Sequence, residues 1–191
     1  GWATLSHSAE HRPAPVRLKR QICIGCISGC NRTVYESTLG EKGKLLCTAG
    51  DFYKPMARAF YGEWNEVPFQ AARLCDRYGI DSTYILSVIR WLQQCRAHGV
   101  LKEGEIGLPI SKIGGSEFIE SLVHQISHRQ GFGRELAQGI ETAAKALGGG
   151  AQELAKRSVH DNTGRPLSCS PKLYPVNALL YALERRKPTA L

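Results

Sequence analysis

The feature that most constrains the fold of this chain is a group of three cysteines within eight residues, Cys23, Cys26 and Cys30. Their spacing is C-x2-C-x3-C, and the glycines at 25 and 29 permit the tight backbone turns that would point three thiolates at one centre. Clustered thiolates ligate iron–sulfur clusters or zinc. A structural zinc site would need a second Cys pair or a His pair at a suitable distance, and the sequence offers none. The spacing therefore favours an iron–sulfur cluster, with zinc or unrelated thiols as alternatives, and a further ligand must come from elsewhere.

Composition limits the class of protein. The chain has 191 residues, 42% of them apolar, and no apolar run approaches the ~20 residues of a membrane span. The start of the chain does not resemble a signal peptide, and an odd number of cysteines with three of them clustered is typical of a reducing compartment. We therefore expect a soluble, cytoplasmic protein. The net charge of +8 comes from scattered Lys and Arg without interleaved aromatic residues, so nucleic-acid binding is not expected.

Apolar periodicity predicts a mainly α fold. Residues 1–15 are expected to form a flexible lead-in, 16–22 a short extended segment, and 23–54 an irregular Cys/Gly-rich loop region. From about residue 66 onward, apolar residues recur at i, i+3, i+4 and i+7. This pattern predicts helices from about residue 66 to Gly79, from Asp81 or Ser82 to Gly99, from Ser116 to Gly131, from about Arg134 to Gly148, over 151–159 and around 176–187. Residues 16–191 are thus predicted to form one helical domain.

One of these helices carries two histidines at the spacing of a shared metal site, His124 and His128. At about 100° per residue, both fall opposite the apolar stripe of the helix. That stripe consists of Phe118, Ile119, Leu122, Val123 and Ile126. We therefore interpret the two histidines as part of a solvated face.

A short acidic motif, Asp76-Arg-Tyr-Gly79-Ile-Asp81, joins two of the predicted helices. Gly79 is a candidate C-cap of the first helix and Asp81 a candidate N-cap of the second, which would explain both residues by local structure alone. The functional interpretation is that Asp76 and the backbone of the turn bind a polar ligand. The residues leave both interpretations open.

These motifs follow one another as CxxCxxxCNR, LCDRYGID, a helix that ends in QCRAHG, and the segment SLVHQISHRQGFGRELAQGIETAAKALGGGAQELA. In that order, they resemble the second domain of the tungsten-containing aldehyde ferredoxin oxidoreductase family over most of the chain. The resemblance implies that Cys23, Cys26 and Cys30 hold a [4Fe–4S] cluster. It also implies that the acidic motif binds a pterin of a tungsten (or molybdenum) bis-molybdopterin cofactor, with Ile80 in place of the usual Leu. The residues implied in pterin binding are Asp76, Gly79, Ile80 and Asp81.

The resemblance further implies that the chain is a fragment of a larger enzyme, without its N-terminal pterin domain and its C-terminal domain. In the family, a later motif supplies the fourth cluster ligand. Such an enzyme passes electrons between an aldehyde/acid or acyl-CoA-type substrate and ferredoxin or another electron-transfer protein. The isolated chain is expected to have no turnover. The alternative from a different class is a non-catalytic electron-transfer or zinc-binding interaction module, which would lack a cluster's brown colour if it held zinc.

Cys47 departs from the family pattern. Where the family usually has an acidic segment with an active-site Glu, this chain reads GEKGKLLCTAGDFYKP, and Cys47 lies 17 residues after Cys30. The branch that resembles the tungsten subunit of class II benzoyl-CoA reductase uses a cysteine as a metal ligand, and ALLYALERRKPTAL is similar to that branch. The resemblance thus implies that Cys47 is a metal ligand, and a small buried thiol is the alternative.

Overall fold

The structure, a computed structural model, describes residues 16–20, 33–38, 40–44, 66–157, 179 and 182–183. Its first elements form a three-stranded antiparallel sheet in the order β1-β2-β3. Strand β1 spans Val16–Arg20, β2 spans Thr33–Glu36 and β3 spans Lys42–Lys44. The register between β1 and β2 shifts between Arg17 and Lys19, which is an irregularity typical of short, strongly twisted edge strands.

Helices account for most of the described residues, so the predicted mainly α fold is confirmed. None of the helices in the described ranges has the length and apolar character needed to cross a membrane. Near the C-terminus, Leu179, Ala182 and Leu183 are helical as predicted, and both leucines are exposed. The helices are α1 (Glu66–Tyr78), α2 (Ser82–Ala97), α3 (Ser116–His128), α4 (Gly133–Leu136), α5 (Ile140–Leu147) and α6 (Ala151–Lys156), with a short 3-10 helix at Ile110–Lys112 before α3.

The sheet is the main difference from the sequence prediction. Strand β1 confirms the extended segment expected at 16–22, but β2 and β3 lie inside the range predicted to be a loop region. Strands of four and three residues are too short to show a period-2 pattern of their own. They are defined by pairing across a turn, where Ser37 N donates to Glu41 O at 2.8 Å and Glu41 N donates to Ser37 Oγ at 3.1 Å.

The sheet packs directly against α1 at Gly43. A Cβ on this β3 residue would lie 2.7 Å from Cζ of Phe69, which is itself 1% exposed. Real Cβ atoms are not found so close to another heavy atom, so only glycine permits this approach. The close approach places the hairpin of β2 and β3 on the same helix that leads into the acidic motif.

The core is formed by α1, α2 and α3, with α6 packed on α2. Trp91 of α2 is 1% exposed and donates from Nε1 to the Ala151 carbonyl at 3.1 Å, which joins α2 to the first turn of α6. A fully buried aliphatic or aromatic side chain stabilises the fold by about 1.5–3 kcal/mol relative to exposure. The stripes predicted from the sequence are buried as expected: Ile85, Val88, Ile89 and Leu92 of α2, and Phe118, Ile119, Leu122, Val123 and Ile126 of α3.

Three helix boundaries differ from the prediction. The single helix expected from about Arg134 is divided into α4 and α5, because Gly139 has φ of +113° and interrupts the helical backbone. The predicted N-cap Ser116 is instead the first helical residue of α3, and the N-cap is Gly115. Helix α3 ends at His128, where Arg129 has φ of +52°, and not at the predicted Gly131. The apolar stripes are unaffected by these differences.

Candidate functional site

The acidic motif forms the connection between α1 and α2, and its glycine ends the first helix. Gly79 has φ of +66°, its N–H bonds to the Asp76 carbonyl at 3.3 Å, and the N–H of Ile80 bonds to the Cys75 carbonyl at 2.9 Å. This pair of bonds is the Schellman motif that satisfies the last carbonyls of a helix. Ile80 packs against the hydrophobic core, as the apolar residue after such a glycine commonly does.

Asp81 begins the second helix. Its Oδ1 accepts hydrogen bonds from Thr83 N at 2.8 Å and from Thr83 Oγ1 at 2.6 Å, and its backbone is extended. This is the N-cap arrangement that satisfies an otherwise unpaired amide at the start of a helix. The predicted capping roles of Gly79 and Asp81 are therefore confirmed. A capping role is local to the helix end, and it does not by itself exclude ligand binding.

Asp76 lies on the exposed side of the last turn of α1, in a chain of alternating charges. Its Oδ2 is 3.5 Å from Nη1 of Arg73. Nε of Arg73 and Nη2 of Arg77 lie 3.3 Å and 2.7 Å from the same Oε1 of Glu41, in the turn between β2 and β3. The two arginines on one carboxylate connect the last turn of α1, which carries Asp76, to the turn between β2 and β3.

The surface of the turn is open. A Cβ built on Gly79 would have no heavy atom within 4 Å, so this glycine is required by its backbone conformation and not by lack of space. Asp76, Gly79 and Asp81 are all exposed, whereas Ile80 is half-buried. The arrangement presents two carboxylates on either side of an accessible backbone turn. Chemically, it can accept hydrogen bonds from a flat heterocycle with several N–H donors.

The described cysteines are unsuited to ligate a metal. Burial, together with the negative charges of Asp76 and Asp81, raises the pKa of the Cys75 thiol to about 12. Burial likewise raises the pKa of Cys95 to about 12. The thiolate is the form that binds metals, so both cysteines are neutral core residues at physiological pH. Within the described ranges, no group of three or more Cys, His, Asp or Glu side chains is placed to hold a metal ion.

Cys23, Cys26, Cys30 and Cys47 lie outside the described residues, so their roles stay predictions. The described strands determine where the segment with the three clustered cysteines begins and ends. Arg20 at the end of β1 pairs with Thr33 at the start of β2. Because the two strands are antiparallel, residues 21–32 leave and re-enter the sheet at the same end.

One polar residue at the other end of α1 was not identified from the sequence. Glu66 is 0% exposed, and it accepts hydrogen bonds from Thr38 Oγ1, from Thr38 N at 3.4 Å and from Gln70 Nε2 at 3.3 Å. A buried carboxylate is stable only when such donors surround it. Glu66 therefore joins the β2–β3 hairpin to α1, and no local pattern in the sequence signals this long-range contact.

The family described as "Aldehyde ferredoxin oxidoreductase, domains 2 & 3" matches residues 3–186 of the chain. The tungsten-containing aldehyde ferredoxin oxidoreductases of Pyrococcus abyssi and Pyrococcus horikoshii are each 26% identical to it over 149 residues. Each match covers 74% of this chain and 23% of the relative. The chain thus spans about a quarter of the length of these curated relatives.

A solved structure has a similar fold. It is the active-site complex BamBC of benzoyl coenzyme A reductase in complex with 1,5-dienoyl-CoA, and it superposes with a TM-score of 0.63 at 20% sequence identity. The match covers 89% of this chain and 25% of that chain. At this level of identity, the likeness is one of fold.

Proposed function

The chain belongs to the aldehyde ferredoxin oxidoreductase family, and on that basis we propose that it is the cluster-binding and pterin-binding part of a tungsten or molybdenum oxidoreductase. The observation that carries the proposal is the acidic motif on an open turn, in a chain that matches the family from residue 3 to 186. The alternative of a zinc-binding interaction module has no comparable support in the described residues.

The residues of the turn fit a pterin. Pterin rings carry several N–H donors, and the exposed carboxylates of Asp76 and Asp81 are matching acceptors. The absence of a side chain at Gly79 allows a flat ring to approach the backbone closely, while Ile80 anchors the turn to the core. When bound, the cofactor supplies the redox-active metal. The chain would orient the cofactor through hydrogen bonds to the carboxylates of Asp76 and Asp81, which lie at the end of α1 and the start of α2.

The clustered cysteines would hold the second redox centre. Cys23, Cys26 and Cys30 are proposed as three thiolate ligands of a [4Fe–4S] cluster, with a fourth ligand from outside this chain. The pairing of Arg20 with Thr33 supports this role, because it brings together the two residues that flank the cysteine-bearing segment. Hydrogen bonds to cluster sulfurs and burial would then set the reduction potential.

The turn is tested in the full-length enzyme by Asp81→Asn. Asn caps helices about as well as Asp does, so this change removes the charge of the carboxylate and keeps the cap. We expect a marked loss of pterin content with an unchanged far-UV circular dichroism spectrum. Glu153→Gln is the matched control, since Glu153 is an exposed acid that pairs with Lys156 at 2.9 Å on α6. Full pterin content in Asp81→Asn would contradict the proposal for this residue.

The cluster is tested separately by Cys26→Ser in the full-length enzyme. A hydroxyl is a harder and weaker ligand for iron than a thiolate, so iron content and electron transfer should fall together. Iron content equal to that of the wild type would rule out the assignment. The matched control is Cys95→Ser, because Cys95 is buried and proposed to ligate nothing.

The substrate class depends on Cys47. We propose that Cys47 ligates the pterin-bound metal, which would favour low-potential reduction of an acyl-CoA-type substrate over oxidation of an aldehyde, with ferredoxin or a similar protein as electron partner. Thiolates are soft, strong donors and would occupy a coordination position otherwise open to a substrate oxygen. X-ray absorption at the metal edge should count one sulfur fewer in Cys47→Ala than in the wild type. Identical sulfur counts would leave Cys47 as a packing residue.

A further inference from the structure

The exposed face of α3 brings two imidazole rings together. His124 and His128 lie one turn apart, and both are exposed, as the sequence predicted. Their ring centroids are 4.1 Å apart and the ring planes meet at 25°, so the rings are stacked. Two neighbouring imidazoles at this spacing can ligate one transition metal ion. The helical pattern alone favoured a solvated face without a metal.

The hydrogen bonding of His128 determines which of its nitrogens is available. Its Nδ1 lies 3.0 Å from the His124 carbonyl oxygen, and a carbonyl can only accept, so Nδ1 carries the proton. In the neutral ring, Nε2 then has the free lone pair. Imidazoles bound to metals commonly have this arrangement, with the second nitrogen donating to a backbone carbonyl.

The surroundings leave room for the remaining ligands of an ion. A groove of about 510 Å³ adjoins His124, between α1 and α3, and its lining includes Leu74, Tyr78 and Glu120. The Tyr78 ring meets the His128 ring edge to face, with centroids 5.8 Å apart at 73°. This contact restricts the His128 ring from the side of α1.

We propose that His124 and His128 form a two-imidazole site for a borderline divalent transition metal such as Ni²⁺ or Zn²⁺, with water completing the coordination. Zn–N bonds of about 2.0–2.1 Å place two ligating nitrogens about 3 Å apart, a separation that rings stacked at 4.1 Å reach by rotation of their side chains. With two protein ligands, the site is open and exchangeable. Neither histidine is among the residues proposed for the pterin and cluster sites.

The test is a Ni²⁺ titration of the full chain, followed by NMR of the histidine ring protons. Once the ring protons of the six histidines are assigned, each ring is followed by its own signals, so metal bound at thiolates elsewhere does not obscure the result. Because paramagnetic Ni²⁺ broadens the signals of nearby protons, those of His124 and His128 should broaden first and together. In His128→Ala, the His124 signal should require at least about tenfold more Ni²⁺, since even outer partners of a metal-bound imidazole are worth about 10–100-fold in affinity.

His98 is the matched control within the same molecule. It is exposed, and its Nδ1 lies 2.9 Å from the Gln94 carbonyl oxygen, as Nδ1 of His128 lies close to that of His124. Unlike His128, it has no histidine three or four residues before or after it in the sequence. The proposal fails if the His98 signal broadens as early as those of His124 and His128. It also fails if His128→Ala leaves the response of His124 unchanged while the circular dichroism spectrum stays that of the wild type.

Discussion

Helix α1 buries its first turn and exposes its last, and the polar residues at the two ends differ in what they contact. At the start, Glu66 is 0% exposed and its carboxylate binds donors from the β2–β3 turn and from its own helix. At the end, Asp76 is exposed, and its contact in the described part of the chain is an arginine one turn back at 3.5 Å. An acidic residue is thus buried and hydrogen-bonded at one end of α1, and another is exposed to solvent at the other end.

The difference shows how to separate structural from functional carboxylates in this chain. A buried carboxylate surrounded by donors is needed to hold the hairpin on the helix, and its loss should lower stability. An exposed carboxylate next to a turn that is already closed by backbone bonds contributes little to stability. Its charge and its acceptor oxygens remain accessible to a ligand, so its loss should appear in cofactor content and not in the unfolding free energy.

The largest effect is expected for Phe69→Ala in the buried half of α1. Phe69 is 1% exposed and contacts β3 at Gly43, so its removal leaves a cavity that should lower the free energy of unfolding by about 3–5 kcal/mol. Urea denaturation followed by circular dichroism measures this value. Tyr78→Ala, an aromatic residue on the exposed end of the same helix, should cost far less. Equal costs would mean that the two ends of α1 are not buried differently.

A smaller effect is expected for Glu66→Ala. This change leaves the Thr38 hydroxyl and the Gln70 amide without their acceptor, which should lower the free energy of unfolding by about 1–3 kcal/mol. Glu66→Gln keeps an acceptor oxygen and should retain most of the stability. If Gln is as damaging as Ala, the hydrogen bonds described here are not what stabilises the hairpin on α1.

Gly79→Ala tests the backbone of the turn. A non-glycine residue in the left-handed conformation costs about 1–2 kcal/mol, and at φ of +66° with open space around the new Cβ that strain should be the whole effect. Asn tolerates this conformation better, so Gly79→Asn should cost less in the same thermal or urea denaturation experiment. A larger loss for Asn than for Ala would show that side-chain size, and not φ, limits this position.

The smallest effect on stability is expected for Asp76→Asn. Exposed ion pairs contribute about 0–1 kcal/mol, so the midpoint of urea denaturation should stay close to that of the wild type. In the full-length enzyme, the same variant should nevertheless lower pterin content. A large loss of stability from Asp76→Asn would place this carboxylate in the structural class together with Glu66.

Much of the helical part could be predicted from the sequence, because its signals are local. The apolar stripes of α2 and α3, the αL glycine at 79 and the cap at Asp81 each depend on residues within one or two turns. The division between α4 and α5 was missed, since Leu136 and Ile140 keep a helical spacing across the break at Gly139. An apolar stripe indicates which residues face the core, but it does not indicate whether the backbone between those residues is continuously helical.

The sequence alone determined where the helices lie, which of their faces are buried, and which exposed acids flank the turn between α1 and α2. Only the tertiary structure decided that β2 and β3 form a hairpin, that Gly43 meets Phe69, and that the Glu66 carboxylate accepts hydrogen bonds from Thr38, which lies 28 residues away in the chain. It also decided that the rings of His124 and His128 stack beside Tyr78. The physical reason is range: helix periodicity and capping arise from neighbours in the chain, whereas close approach, buried hydrogen bonds and ring contacts arise from residues brought together by packing.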